Sequence, residues 1–238
     1  MSQEIKVAVM QPTYFPWCGY FELINKVDKF VFLDDVPLAM QRPNWQKENR
    51  ILGPQGARWI RVPAIRTRGD VSFINDVIVD DSKHWRSKHL SLMLELYQKS
   101  DFFGLIYPSI ASLLNEGNTN NLAEINIGLI VLLSEYLELD VEFYRSSELV
   151  GVSGVKQDRI LSICGSVNGT SYYSPQGAMD YISSSVFEEN NIKLTFQEYT
   201  HPEYNQFNNI GPFVSHLSVI DVISNYGKAA RDIIVSGA

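Results

Sequence analysis

Lys6-Val7-Ala8-Val9-Met10-Gln11-Pro12-Thr13-Tyr14-Phe15-Pro16-Trp17-Cys18-Gly19-Tyr20-Phe21-Glu22-Leu23-Ile24 is the stretch that decides how this chain folds. The apolar run 7–10 predicts a strand, and the pattern over 20–26 predicts a short helix. Between them, Pro12 and Pro16 fix φ and remove two backbone donors, so the connection is stiff. Gly19 admits a close backbone approach or a dihedral that other residues avoid. Phe30-Val31-Phe32-Leu33 predicts a second strand, ending at Asp34-Asp35. Strand, helix and strand in about thirty residues is a βαβ pattern, with parallel pairing and a right-handed crossover. Open sheets of this kind take ligands at the C-terminal ends of their strands, where the 11–20 loop and the two aspartates fall.

Outward from this unit, Pro37, Pro43, Asn44, Gly53, Pro54 and Gly56 predict an irregular excursion with a hairpin at Gly53-Pro54-Gln55-Gly56. Short apolar or alternating runs predict strands over 58–63, 74–79, 141–144 and 193–199. Helical spacing predicts helices over 83–99, capped by Ser82, and over 122–139, 160–166, 177–187 and 218–235. The fold class is therefore α/β, a Rossmann-like parallel sheet in the N-terminal half with a mostly helical C-terminal half. Residues 1–238 form one unit, divisible at most into an α/β part over 1–115 and a mostly helical part over 116–238. The rival is an α+β layout with separate antiparallel strands over 58–63 and 74–79.

The net charge of −7 and pI near 5.1 argue against a nucleic-acid partner held by phosphate neutralisation and against adsorption on anionic lipid. Cys18 and Cys164 make neither metal-ligand spacing nor a disulfide framework, as in thiols kept reduced in a cytoplasm. No run approaches the ~18 apolar residues of a membrane span, and the N-terminus lacks a signal-peptide core. The expectation is a cytoplasmic protein without membrane insertion.

Four histidines can be weighed one by one. His84 and His89, five apart, lie about 140° from each other on a helix and do not form the i, i+4 zinc pair. His201 falls in Tyr199-Thr200-His201-Pro202-Glu203-Tyr204-Asn205-Gln206, a loop after a strand, and His216 opens the last helix. Imidazole titrates near neutrality and can act as a base, though a lone His is more often structural. The loops at Ser146-Ser147 and Ser174-Pro175-Gln176-Gly177 suit a phosphate or carboxylate, but helix capping explains Ser147 and Ser174 equally well. Phosphate-loop, dinucleotide, nucleophile-elbow and zinc-protease signatures are absent from the sequence. Cys18 shows no sign of thiolate activation. Arg50, Arg86 and Lys88 are the cations best placed to meet a phosphate.

Taken together, Gln11-Pro12-Thr13-Tyr14-Phe15-Pro16-Trp17-Cys18-Gly19-Tyr20, Phe32-Leu33-Asp34-Asp35-Val36, Asn49-Arg50, His84-Trp85, the His201–Gln206 loop and Leu217-Ser218-Val219-Ile220-Asp221 resemble the WbqC-like family nearly end to end. Val36-Pro37-Leu38 departs from the Val-Gln-Tyr-like segment expected there. The family sits in bacterial O-antigen and polysaccharide clusters. The resemblance implies an acyl- or aminoacyl-transferase, glycyl transfer included, acting on a nucleotide-linked amino sugar in O-antigen or surface-polysaccharide biosynthesis. The strand, aromatic loop and helix are also similar to the nucleotidyltransferase-like branch of Rossmann folds, which binds ATP. That branch's tandem-histidine motif is absent, because Trp17-Cys18-Gly19-Tyr20 holds no histidine.

On this reading His84 and His201 are the candidate bases, with Asp34 or Asp35 orienting the base or holding the amine. Gln11, Tyr14, Trp17, Gly19, Asn49, Arg50, Trp85, Lys88, Tyr204 and Gln206 are the candidate substrate-binding residues, gathered in one pocket. The donor is activated through ATP or arrives as an acyl thioester, no metal is expected, and a homo-oligomer is a further expectation. The alternative is a non-catalytic sugar- or nucleotide-binding module of a polysaccharide assembly complex.

Overall fold

Strands β1 (Lys6–Met10) and β2 (Lys29–Phe32) pair in parallel, from Val7 opposite Lys29 to Met10 opposite Phe32, with α1 (Cys18–Asn25) between them. The structure, a computed structural model, describes residues 4–65, 72–117, 119–179, 182–207 and 209–238. An antiparallel hairpin follows, β3 (Glu48–Gly53) with β4 (Gly56–Arg61), and then a two-residue antiparallel pair, β5 (Ala64–Ile65) with β6 (Ile78–Val79). Three helices come next: α2 (Trp85–Tyr97), α3 (Phe103–Glu116) and α4 (Leu122–Tyr136). The chain ends as β7 (Glu142–Arg145), α5 (Lys156–Ser166), β8 (Ser171–Ser174), α6 (Ser184–Glu189), β9 (Lys193–Phe196), α7 (Val219–Tyr226) and α8 (Ala230–Val235).

The main sheet has the order β7-β2-β1-β8-β9, and every neighbouring pair is parallel. This is the α/β class with a parallel sheet. The C-terminal half is richer than a helical layer, since it supplies three of the five strands. The antiparallel strands of the rival layout also exist, as ribbons outside the sheet. The chain winds outward from β1 through β2 to β7, then returns to the other side of β1 with β8 and β9. Winding direction therefore reverses between β1 and β8, and doubly wound sheets open a ligand crevice at such a point.

Both faces of the sheet are apolar, as a covered parallel sheet requires. Val7, Val9 and Val31 face a smaller core with Ile163, Cys164 and Phe187. Ala8, Phe30 and Phe32 face the larger core, which takes in α1, the helices α2 to α4, and α7. Phe143 stacks on Phe32 at 5.3 Å, which ties the edge strand into that layer.

Several boundaries depart from the sequence reading for local reasons. Helix α2 starts only at Trp85 because His84 is left-handed, with φ 51°. The segment 218–235 breaks into α7 and α8 at Gly227, where φ is 59° and a Cβ would meet the Phe102 ring at 2.6 Å. Helix α3 has no counterpart among the expected elements, since Gly104 and Pro108 inside it read as breakers. The run 74–79 is a 3-10 turn over Ile74–Asp76 followed by β6. Of the helix expected over 177–187, residues 180 and 181 lie outside the described residues; the rest is a 3-10 turn at Gln176–Ala178 and α6.

His89 is buried on α2, where its Nδ1 lies 2.8 Å from the Tyr14 hydroxyl. Burial holds its imidazole down to about 4, so the folded state keeps it neutral. Its contribution is complete above the unfolded value near 6.5 and disappears as pH falls to about 4. Between pH 7 and pH 4 the urea-unfolding free energy of the native protein should fall by about 3 kcal/mol relative to a His89→Gln variant. Parallel pH profiles for the two proteins would rule this out.

Candidate functional site

The loop from Gln11 to Trp17 crosses the C-terminal edge of β1, and its carbonyls draw their donors from distant elements. Asn49 Nδ2 donates to the carbonyls of Tyr14, at 3.2 Å, and Phe15, at 2.6 Å. Asn126 Nδ2 on α4 donates to the Pro12 and Gln46 carbonyls, at 3.1 and 2.6 Å. The Val219 N–H, at the start of α7, donates to the Pro16 carbonyl at 2.8 Å. Phe15 is held at φ 43°.

At the switch point this loop walls a crevice of about 710 Å³. Its lining includes Met10, Gln11, Trp17 and Tyr20 from the β1–α1 side, and Tyr172, Pro175, Gln176 and Gly177 from β8 and the turn after it. Gln197 and Tyr199 after β9, and Gln41 and Trp45 ahead of β3, also line it. A smaller cavity of about 280 Å³ shares Met10, Trp17, Tyr20 and Trp45, and adds Thr13, Asn49 and His216. The described lining of both is aromatic and amide-rich, with no lysine, arginine, aspartate or glutamate.

Gly19 accounts for the shape of the wall. A Cβ there would lie 2.4 Å from the Trp17 ring, so the indole folds directly onto the backbone of α1. Gln197 Nε2 donates to the Gly19 carbonyl at 2.8 Å and to the carboxylate of Glu22, which is fully buried on α1. With its amide nitrogen committed below, Gln197 offers its oxygen as an acceptor. Burial pushes the Glu22 carboxyl above its ordinary range.

Trp17 is also the centre of an aromatic cluster. His216 stacks on it at 5.0 Å and His201 at 6.0 Å, Tyr199 meets its edge at 5.4 Å, and the two imidazoles lie 5.1 Å apart. His201 Nδ1 lies 2.9 Å from the Pro202 carbonyl, which can only accept, so Nδ1 carries the proton and Nε2 the lone pair. Nε2 is buried without a hydrogen-bond partner among the described residues. Burial lowers both imidazoles below the usual histidine value, aided at His201 by His216 and at His216 by Arg50. His216 reaches the cavity wall and His201 stands behind it.

The single pocket expected from the sequence is divided in the structure. Gln11, Trp17, Gly19 and Asn49 line the crevice or its extension. Tyr14 and Trp85 are buried in the core, Tyr14 on His89 and Trp85 donating to Asp81 at 2.8 Å, and neither can stack on a ligand. His84 lines a separate polar cavity with Arg86, Ser87 and Asn115. Arg86 spends its guanidinium on Asp81 and on the Leu114 and Thr119 carbonyls, and Lys88 is exposed on α2. Arg50 donates to the His216 carbonyl at 3.1 Å. Tyr204 and Gln206 hold Asp221, a buried carboxylate on α7 that also accepts the Tyr97 hydroxyl at 3.0 Å. Burial raises Asp221 to about 6, against the pull of those donors.

Asp34 and Asp35 are staples between strand ends. Asp34 is fully buried and receives Arg145 at 2.8 Å, the Ser147 N–H at 3.1 Å and the Ser147 hydroxyl at 2.8 Å. Asp35 pairs with Arg159 and accepts Ser146 at 2.5 Å. These contacts join the ends of β2 and β7 and leave neither carboxylate facing the crevice. Ser147 therefore works as a donor to Asp34. Burial drives the Cys18 thiol far above its ordinary value, away from nucleophilic use.

Lining residues that the sequence reading did not place among its site candidates are Tyr20, Trp45, Gln176, Gln197, Tyr199 and His216. Gln176, Gln197 and Tyr199 follow the ends of β8 and β9, so the rule that strand ends collect ligands points to them once those strands are placed beside β1. Among the described residues no group of three His, Cys, Asp or Glu is placed to hold a metal, and no helix is long and apolar enough to cross a membrane.

The sequence profile of the WbqC-like protein family matches residues 11–233. An uncharacterized protein of Mycobacterium tuberculosis, Rv1507c, is 30% identical over 229 residues, covering 95% of this chain and 96% of that protein. No solved structure gives a significant match.

Two substitutions test this geometry. Gly19→Ala should displace the Trp17 indole, read as a shift in tryptophan emission with little change in circular dichroism; an unaltered emission spectrum would contradict the packing. Asp34→Asn should cost about 2 kcal/mol in urea unfolding, since Arg145 loses its buried partner yet keeps Glu124 and Glu148. A loss under about 0.5 kcal/mol, the range of ordinary surface changes, would refute the staple.

Proposed function

The chain belongs to the WbqC-like protein family, and from that premise we propose that it is a cytoplasmic transferase placing an acyl or aminoacyl group, glycyl included, on the amine of an amino sugar in surface-polysaccharide assembly. The observation that carries the reading is the switch-point crevice. Its indole and phenol faces suit the C–H faces of a sugar ring, and its amides suit hydroxyls. With no cation among its described lining residues, the crevice favours the sugar over the diphosphate of a nucleotide carrier.

His216 is the residue in this reading that takes a proton from the sugar ammonium. The free amine then attacks the acyl carbonyl of a thioester or of an adenylate made with ATP. A C–N bond forms, the C–S or C–O bond breaks, and the remaining surplus proton goes to the departing thiolate or phosphate, or to solvent. His201, behind His216, is a positioning residue through their 5.1 Å ring contact. A second reading, a non-catalytic sugar-binding module, draws support from the locked carboxylates Asp34 and Asp35 and the inert Cys18 thiol.

Incubation with amino sugars and either ATP plus glycine or acyl thioesters, followed by product mass, separates the two. A mass gain is the expected result, and binding without one across the panel supports the module. His216→Ala should lower turnover by ~10²-fold, the usual contribution of a general base, while His84→Ala keeps the native rate. Because the neutral form of His216 persists below the usual histidine value, the acid limb of kcat/KM should lie below pH 6.5. An acid limb above that value, or an unaffected His216→Ala rate, would remove this residue from the mechanism.

A further inference from the structure

Trp45 lines the crevice and also meets Trp59 on β4, with ring centroids 5.8 Å apart and planes tilted by 31°. Trp45 and Trp59 are 41% and 47% exposed although they meet one another, whereas tryptophan is on average a well-buried residue. Arg50, across the hairpin from Trp59, lies 5.8 Å over that ring while its guanidinium holds the His216 carbonyl. An aromatic surface therefore runs from Trp17 and Trp45 inside the crevice to Trp59 outside it.

We propose that Trp45 and Trp59 form a second carbohydrate subsite, which takes the next sugar of a saccharide whose terminal amino sugar lies in the crevice. The inference rests on the carbohydrate reading of the crevice and adds the chain length of the ligand. No planar group enters between the rings, since that needs about 7 Å, twice a van der Waals contact. The ligand lies against the exposed surface of the two indoles, beside the Arg50 guanidinium that lies over Trp59. A nucleobase fits less well because its phosphates need a cation. All three arginines of the hairpin are engaged: Arg50 with carbonyls of 215 and 216, Arg61 with Glu48, and Arg58 with Glu95. The exposed pair is also continuous with a built crevice, which sets it apart from an isolated apolar patch.

The test titrates glucosamine and its β-1,4-linked dimer, trimer and tetramer into the native protein and into Trp59→Ala and Trp59→Phe, following tryptophan fluorescence and saturation-transfer NMR. Native affinity should rise about tenfold from monomer to dimer, the gain of one well-placed aromatic contact. Trp59→Ala should abolish that gain with monomer binding unchanged, and Trp59→Phe should retain most of it. Equal affinity for all lengths, or a gain that survives in Trp59→Ala, overturns the subsite while the crevice reading stands. Absence of binding at every length overturns the crevice reading and the subsite with it. Uridine diphosphate serves as a parallel probe, and binding that depends on Trp59 assigns the platform to a nucleobase and overturns the proposal.

Discussion

A loop rich in proline can cross a sheet edge under cover only if something else satisfies its carbonyls, and here two asparagine side chains do so. Pro12 and Pro16 have no N–H, so the stretch from Gln11 to Trp17 cannot form its own ladder. Asn49 and Asn126 supply four donated contacts between them, two to that loop's Tyr14 and Phe15 carbonyls and one each to Pro12 and Gln46. Both are buried, where a hydrogen bond is strong and an unmet carbonyl costly. The position of Trp17, and so the wall of the crevice and the stacking of both histidines on it, follows from that clamp. It joins the hairpin, α4 and the first loop into one support.

The βαβ start was legible because its signals are local: an apolar run, two prolines, a helix and a second apolar run within one short segment. The pairing of β1 with β8 was not legible, since nothing at Lys6 or Val7 announces a partner at Ser171 or Tyr172. For the same reason the site was only half readable. Trp17, Gly19 and Gln11 sit in the conspicuous loop, whereas Gln197 and Tyr199 reach the crevice only because β9 lies beyond β8. Asp34 and Asp35 show the opposite error. Carboxylates at a strand tip read as chemistry, yet arginines more than a hundred residues away neutralise them. Sequence spacing says where a charge falls in the chain and nothing about which distant charge it meets.

A crevice whose described lining carries no charge selects differently from one with it. Hydrogen bonds between neutral groups and apolar contact fall off steeply with misfit and change little with salt, so discrimination rests on shape and on the pattern of donors and acceptors. Gln197 illustrates this: its amide is fixed by the Gly19 carbonyl and the Glu22 carboxylate, leaving an acceptor of fixed direction. Such an acceptor rewards a donor in one direction and penalises a ligand that points it elsewhere.

The winding of the sheet has a consequence for how the molecule comes into being. Strand β1 precedes the other strands of the sheet along the chain, but its two neighbours differ greatly in distance: β2 follows at once, while the Ile5 N–H meets Thr170 across 165 residues. Closing so long a loop is slow, and until β8 and β9 emerge the edge of β1 beside them is unpaired and apolar. A nascent or truncated chain thus carries a sticky strand and no crevice, and both conditions end together when the last third of the protein docks.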